Sequence, residues 1–144
     1  MIDINYSLRL AYQSALNECV AGVPAFYNIV PPNVSPDNYI VFRSITNTDN
    51  STLNTSDVNC QITVEIQTWQ DGLNPGVTSD MVAMEIFNKI MPNPQYNITV
   101  DGAQVVTTRL LNDITPQPVT QGNRSYVSRV LTFGHRIFMV SDIS

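Results

Sequence analysis

DVNCQITVEIQTW, Asp57 to Trp69, alternates without a break. Ile62, Val64 and Ile66 fall on one side of an extended chain, and Cys60 and Thr68 lengthen that row. Gln61, Thr63, Glu65 and Gln67 fall on the other side, and Trp69 closes it with a large aromatic. A period of two over so many β-branched residues predicts a strand with one face on a core. The second face is polar, as in an antiparallel sheet, and needs an occupant of its own.

Upstream, YIVFRSI from Tyr39 to Ile45 predicts another strand. The polar stretch TNTDNSTLNTSDVN joins the two, with Leu53 isolated at its middle. Two readings compete there. It is a long mobile loop, or a β-hairpin that projects beyond the domain and orders against a partner, with Leu53 as anchor; loops of this length are uncommon in compact domains unless functional or disordered. Before it, apolar residues at three- and four-residue spacing predict a helix over residues 4 to 21, capped by Asp3 and stopped by Gly22 and Pro24. VPPNVSPDN then runs extended over the surface, since proline is excluded from central strands.

Downstream, QDGLNPGVTSD is turn material, and Thr78 or Ser79 caps a second helix reaching about Met91. Val82, Ala83, Ile86, Phe87 and Ile90 form its apolar stripe, Asp80 sits at the positive end, and Pro92 ends it. Asp101-Gly102 in ITVDGAQVV signals a hairpin whose second arm continues to about Asn112. The loop ITPQPVTQGN leads to a last strand, YVSRVLTFGHRIFMV, with Leu131, Phe133 and Ile137 on one face. Gly134 marks a bulge or the close approach of another backbone. The expected fold is α+β, one domain over 1–144: a mostly antiparallel sheet, two helices on one face, and a long projecting loop or hairpin.

Only 13% of the 144 residues are charged, and Asn, Thr, Ser and Gln keep the chain soluble. Amides and hydroxyls cost far less to desolvate than ions, which suits a protein that packs against others. Seven basic against twelve acidic side chains leave a net charge of −5, and Lys89 is the single lysine. Binding of nucleic acid through its phosphates needs clustered cations, so sequence-specific recognition is not expected. The N-terminal stretch shows neither a basic leader nor a long apolar run, so no membrane span or secretory signal is expected. Cys19 and Cys60, on the predicted helix and strand, lack the spacing of a zinc or redox motif and read as reduced core residues.

Catalytic constellations are sparse. His135 is the single histidine and reads as a polar-face or interface residue. A thiol hydrolase would require Cys60 and His135 on neighbouring strands. Asp49, Asp57, Glu65 and Asp71 stand in turns or singly on a polar face, DNSTLNTSD lacks the spacing and glycine of a calcium loop, and no phosphate-binding loop occurs. No enzyme activity, metal or cofactor is expected.

Three segments together resemble the tail-completion or tail-terminator family of tailed bacteriophages, small proteins that form a ring between head and tail. They are the first helix with AGVPAFYNIVPPNVSPDNYIVFRSI; NCQITVEIQTW with DMVAMEIFNKIM; and VVTTRLLNDITP with NRSYVSRVLTFGHRIF. The likeness spans almost the whole chain and rests on element order and hydrophobic pattern. It implies a non-enzymatic virion protein, made in the host cytoplasm, in a ring of six or twelve copies that joins the tail tube to head-connector proteins. DNA would pass through its channel without specific binding. Leu53, Trp69 and Phe138 are then candidate anchors of a subunit or partner contact, and Gln61, Thr63, Glu65 and Gln67 line an intersubunit surface or the lumen. Asp57, in the hairpin from Asp49, and the acidic loop at Asn112 and Asp113 face a partner or the lumen. Other readings are a twelvefold portal-proximal adaptor and a ligand- or glycan-binding virion module that stacks sugars on Trp69 and Tyr126.

Overall fold

The computed structural model describes residues 4–34, 36–49, 57–71, 78–91, 100 and 103–139. Eight elements follow in the order α1 (Ile4–Leu16), β1 (Ala25–Tyr27), β2 (Tyr39–Asp49), β3 (Asp57–Asp71), α2 (Ser79–Ile90), β4 (Ala103–Ile114), β5 (Val119–Gln121) and β6 (Arg124–Met139). The strands form one sheet in the order β1-β2-β3-β6-β4, with β5 also on β6. Every pairing is antiparallel except β1 with β2. The fold is α+β.

β3 lies at the sheet's centre because its alternation supplies a complete apolar row. Cys60, Ile62, Val64 and Ile66 are buried beside Ile40 and Phe42 of β2 and Leu131, Phe133 and Ile137 of β6. Leu8, Tyr12 and Leu16 of α1 and Val82, Ala83, Ile86 and Ile90 of α2 close the core from that same side. Both helices therefore cover one face of the sheet. The α2 boundaries agree with its caps: Thr78 Oγ1 accepts from the Met81 N–H at 3.3 Å, and the Met91 N–H donates to the Phe87 carbonyl at 2.7 Å.

Several expectations change. Helix α1 ends at Leu16, not at residue 21. Glu18 adopts a left-handed φ of 57° there, and the Asn17 side chain accepts from the Ala25 N–H at 3.1 Å, which turns the chain into β1. Cys19 and Val20 still pack against the core from this turn, so apolar spacing continues past the helix. The stretch VPPNVSPDN is not uniformly extended: the Val34 N–H turns back to the Pro31 carbonyl at 3.0 Å.

β2 and β3 pair out to Asp49 opposite Val58, so the two ends of the polar connection, residues 46–49 and 57–59, are a hairpin's two arms. A register shift between Ser44 and Thr46 accommodates Ile45 as an extra residue. Leu53 and Asp101-Gly102 lie outside the described residues. Asn112 and Asp113 stand inside β4, not in a loop. The ITPQPVTQGN segment contains β5, which closes on β6 through Gly122 (φ 61°) and Asn123. Pro116 and Pro118 separate β5 from β4, because each lacks the N–H a ladder requires.

Candidate functional site: the uncovered face of the sheet

The helix-free face carries Tyr39, Val41 and Arg43 from β2 and Asp57, Asn59, Gln61, Thr63, Glu65, Gln67 and Trp69 from β3. Opposite them on β6 stand Arg124, Tyr126, Ser128, Val130, Thr132, Gly134, Arg136 and Phe138. Strand register thus brings the sequence-predicted residues Asp57, Gln61, Thr63, Glu65, Gln67, Trp69 and Phe138 onto one surface. Asn112 joins them from β4 opposite Thr132, whereas Asp113 points to the helix side opposite Leu131.

One end of this surface is aromatic. The Trp69 and Tyr126 rings lie 5.0 Å apart, and the Arg124 guanidinium sits 5.0 Å over the indole. The indole face offered as a sugar platform is occupied by Arg124. Next to it, the Gln67 amide donates to Glu65, and the Ser128 hydroxyl donates to Gln67 Oε1 at 3.0 Å. Gln67 is consequently buried at 3% exposure despite its place in the polar row. Burial and the neighbouring Tyr126 and Glu65 raise the Tyr39 phenol above its usual range.

The other end is cationic. Arg136 grips Asp57 through Nη2 at 2.8 Å and stacks 5.2 Å over Phe138. Between Arg136 and Arg109, Gly134 leaves a hollow of about 500 Å³, also lined by Asn59, Gln61 and Thr107. Leu111 reaches into it: a register shift in β4 makes Leu111 an extra residue, and a Cβ at position 134 would stand 2.9 Å from its Cδ1. The close approach expected at Gly134 therefore comes from a side chain, not a backbone.

Charge is unevenly divided. Arg43, Arg109, Arg124 and Arg136 outnumber Asp57 and Glu65 among the described side chains of this face, on a chain of net charge −5. The residues behind this asymmetry were readable as scattered arginines; their convergence depends on register across β2, β3, β4 and β6.

The opposite face contains the Cys60–His135 juxtaposition. The two are directly paired across β3 and β6, but His135 is a core residue at 2% exposure, which corrects its reading as a polar-face residue. Its Nε2 meets the Tyr12 hydroxyl and its Nδ1 the Thr108 hydroxyl at 2.9 Å. Burial lowers the imidazole to about 4 and pushes the Cys60 thiol up to about 11. A neutral imidazole with both nitrogens engaged, beside a protonated thiol, is the opposite of an activated nucleophile pair. Among the described residues, no three His, Cys, Asp or Glu side chains group as metal ligands, and no helix is long and apolar enough to cross a membrane.

A two-layer α+β architecture is thus defined, with one sheet face that no helix among the described residues covers. A chain solved within the virion of a native gene transfer agent particle has this same fold: the TM-score is 0.66 at 15% identity, over 96% of this chain and 99% of that one. No protein-family model and no curated protein matches the sequence.

Proposed function

We propose that this chain is a structural protein of a phage-type virion, one domain that assembles as a ring at the head–tail junction. The observation that carries the reading is the near end-to-end likeness to a chain of the gene transfer agent virion. The sheet face that no described helix covers supports it, because a broad surface rich in amides and hydroxyls is cheap to desolvate against a partner subunit. The ring joins tail tube to head connector and leaves a channel for DNA. Its role is geometric, with no catalytic step; the inert Cys60–His135 pair supports this.

The exposed sheet face serves in this reading as an intersubunit surface in preference to a channel wall. DNA passing a wall lined by Arg43, Arg109, Arg124 and Arg136 would be held by its phosphates. Asp57 and Asp113, proposed from sequence for partner or lumen contact, are instead engaged by Arg136 and Arg129 within the subunit. A heterologous interface that closes on itself yields the ring.

Native mass across a concentration series, with negative-stain imaging of the large species, tests the reading. A sixfold ring that binds purified tails supports a tail terminator. A twelvefold ring moves the chain to the portal-proximal tier, and a monomer that never associates with itself, tails or connectors refutes the proposal.

A further inference from the structure

Two surfaces on opposite sides of the subunit complement one another. On the sheet side lies the hollow around Gly134, with Arg109 and Arg136 on its walls and the apolar Leu111, 47% exposed, beside them. On the helix side, Met81 and Met84 of α2 are 51% and 65% exposed, and with Glu85, Cys19 and Val20 they line a shallow hollow. Methionine side chains adapt to irregular partners, and so large an exposure is unusual for the core-filling role usual in a small domain. Arg136 already holds Asp57, but Arg109 has no carboxylate partner among the described residues.

We infer that the sheet face of one copy receives the outer face of α2 from the next copy, with the Glu85 carboxylate entering between Arg109 and Arg136 while Met81 and Met84 cover Leu111. This deepens the ring reading and rests on it. Because the two surfaces lie on opposite layers, the contact is heterologous, the kind that gives a ring where its rotation closes. Helix α2, 12 residues, is about 18 Å long at about 1.5 Å per residue, so its contact on the longer sheet face forms one part of an interface of the standard roughly 800 Å² per partner. The carboxylate fits because the Arg109 guanidinium can donate to it in a bidentate geometry, and because the surrounding amides and hydroxyls are cheap to desolvate.

The test is sedimentation and native mass of the full chain from micromolar to millimolar concentration, for the natural sequence, Arg109→Glu, Glu85→Arg and the double variant. Circular dichroism verifies folding, and Arg109→Gln supplies a milder change at the same site. Each single reversal is expected to weaken assembly at least about 100-fold, and the double exchange to restore most of it, since like charges in a contact cost several kcal/mol. If the natural chain assembles and the single variants do so equally well, or if the exchange gives no rescue, this contact is overturned while the ring reading stands. A natural chain that stays monomeric up to about 1 mM overturns this contact, and the ring reading falls with it only if that monomer also fails to bind purified tails or connectors.

Discussion

Tyr12 of α1 and His135 of β6 meet in the core through phenol hydroxyl and imidazole, 123 positions apart in the chain. Their rings pack edge-on with centroids 5.5 Å apart, and Thr108 satisfies the other ring nitrogen from β4. A neutral imidazole satisfies both hydroxyls, donating through one nitrogen and accepting through the other. Protonation would place an uncompensated charge among Tyr12, Thr108 and Cys60, a cost that burial alone imposes.

The consequence is a pH-dependent stability. The unfolded chain takes up this proton around 6.5, the folded chain only around 4. Between those values the unfolded state holds more protons, so stability falls as pH drops from about 6.5 towards 4, by at most roughly 3 kcal/mol. Above about pH 7 the group contributes no slope. Urea unfolding across pH 4–8 measures this, and His135→Leu is expected to be less stable at neutral pH, where it orphans the Tyr12 hydroxyl, yet flat across the window. An unchanged slope in that variant would exclude His135 as its source.

Cys60 is expected to resist alkylation. Burial raises its thiol to about 11, so at pH 8 the reactive thiolate is roughly 100-fold scarcer than for the same cysteine in the unfolded chain. Timed iodoacetamide labelling with peptide mapping, in buffer and in urea, gives the ratio directly. Rapid labelling of the folded chain would reopen thiol chemistry at this position.

The sequence exposes what local patterns govern and hides what register governs. β3 was legible because its own alternation specifies both faces, and α2 because Thr78, Asp80 and Pro92 mark its ends. His135 was not legible: on β6 it occupies the row of Leu131, Phe133 and Ile137, and its tolerance there depends on hydroxyls from α1 and β4. Nor were the extra residues Ile45, Val106 and Leu111, since a bulge shows itself only against the partner strand. The arginine-lined hollow depends on one of these, because without the shift at Leu111 that side chain would not lie over Gly134.

Gly134→Ala tests that dependence. The added methyl would stand 2.9 Å from Leu111 Cδ1 and 3.3 Å from Cγ, so Leu111 must swing away. Its 47% exposure gives it room. Alanine also recovers about 0.5–1 kcal/mol of the entropy a strand glycine costs. The net change in stability is expected within about 1 kcal/mol of zero, and Leu111→Ala with Gly134→Ala is expected to exceed the sum of the single changes in stability. Strict additivity in chemical denaturation would show that the two positions do not touch.

Arg129 joins three elements and is the ion-pair node whose loss should be felt. From β6, its Nε and Nη2 donate to both Asp113 oxygens on β4, at 3.0 and 2.6 Å, and Nη1 donates to Asp80 in the first turn of α2 at 2.9 Å. The Arg129 side chain is only 18% exposed and lies 5.9 Å from the Phe87 ring, whereas that of Asp80 is 85% exposed. Solvent screens the Asp80 arm, so Asp80→Asn is expected to cost less than about 0.5 kcal/mol. Asp113→Asn breaks a bidentate, charge-assisted pair and is expected to cost about 1–2 kcal/mol. Arg129→Lys keeps the charge but not the fork, so it should recover little of what Arg129→Ala loses. Hydrogen bonds from Arg129 hold the Asp113 carboxyl below its ordinary value of 3.8, so this contribution is present above about pH 4 and lost as pH falls through the lower folded value. That window lies below the one governed by His135, and stability measured against pH in the two variants separates them. Equal costs for Asp80→Asn and Asp113→Asn would mean that the fork carries no more than a surface ion pair, and that the β4 edge is held by its backbone ladder alone.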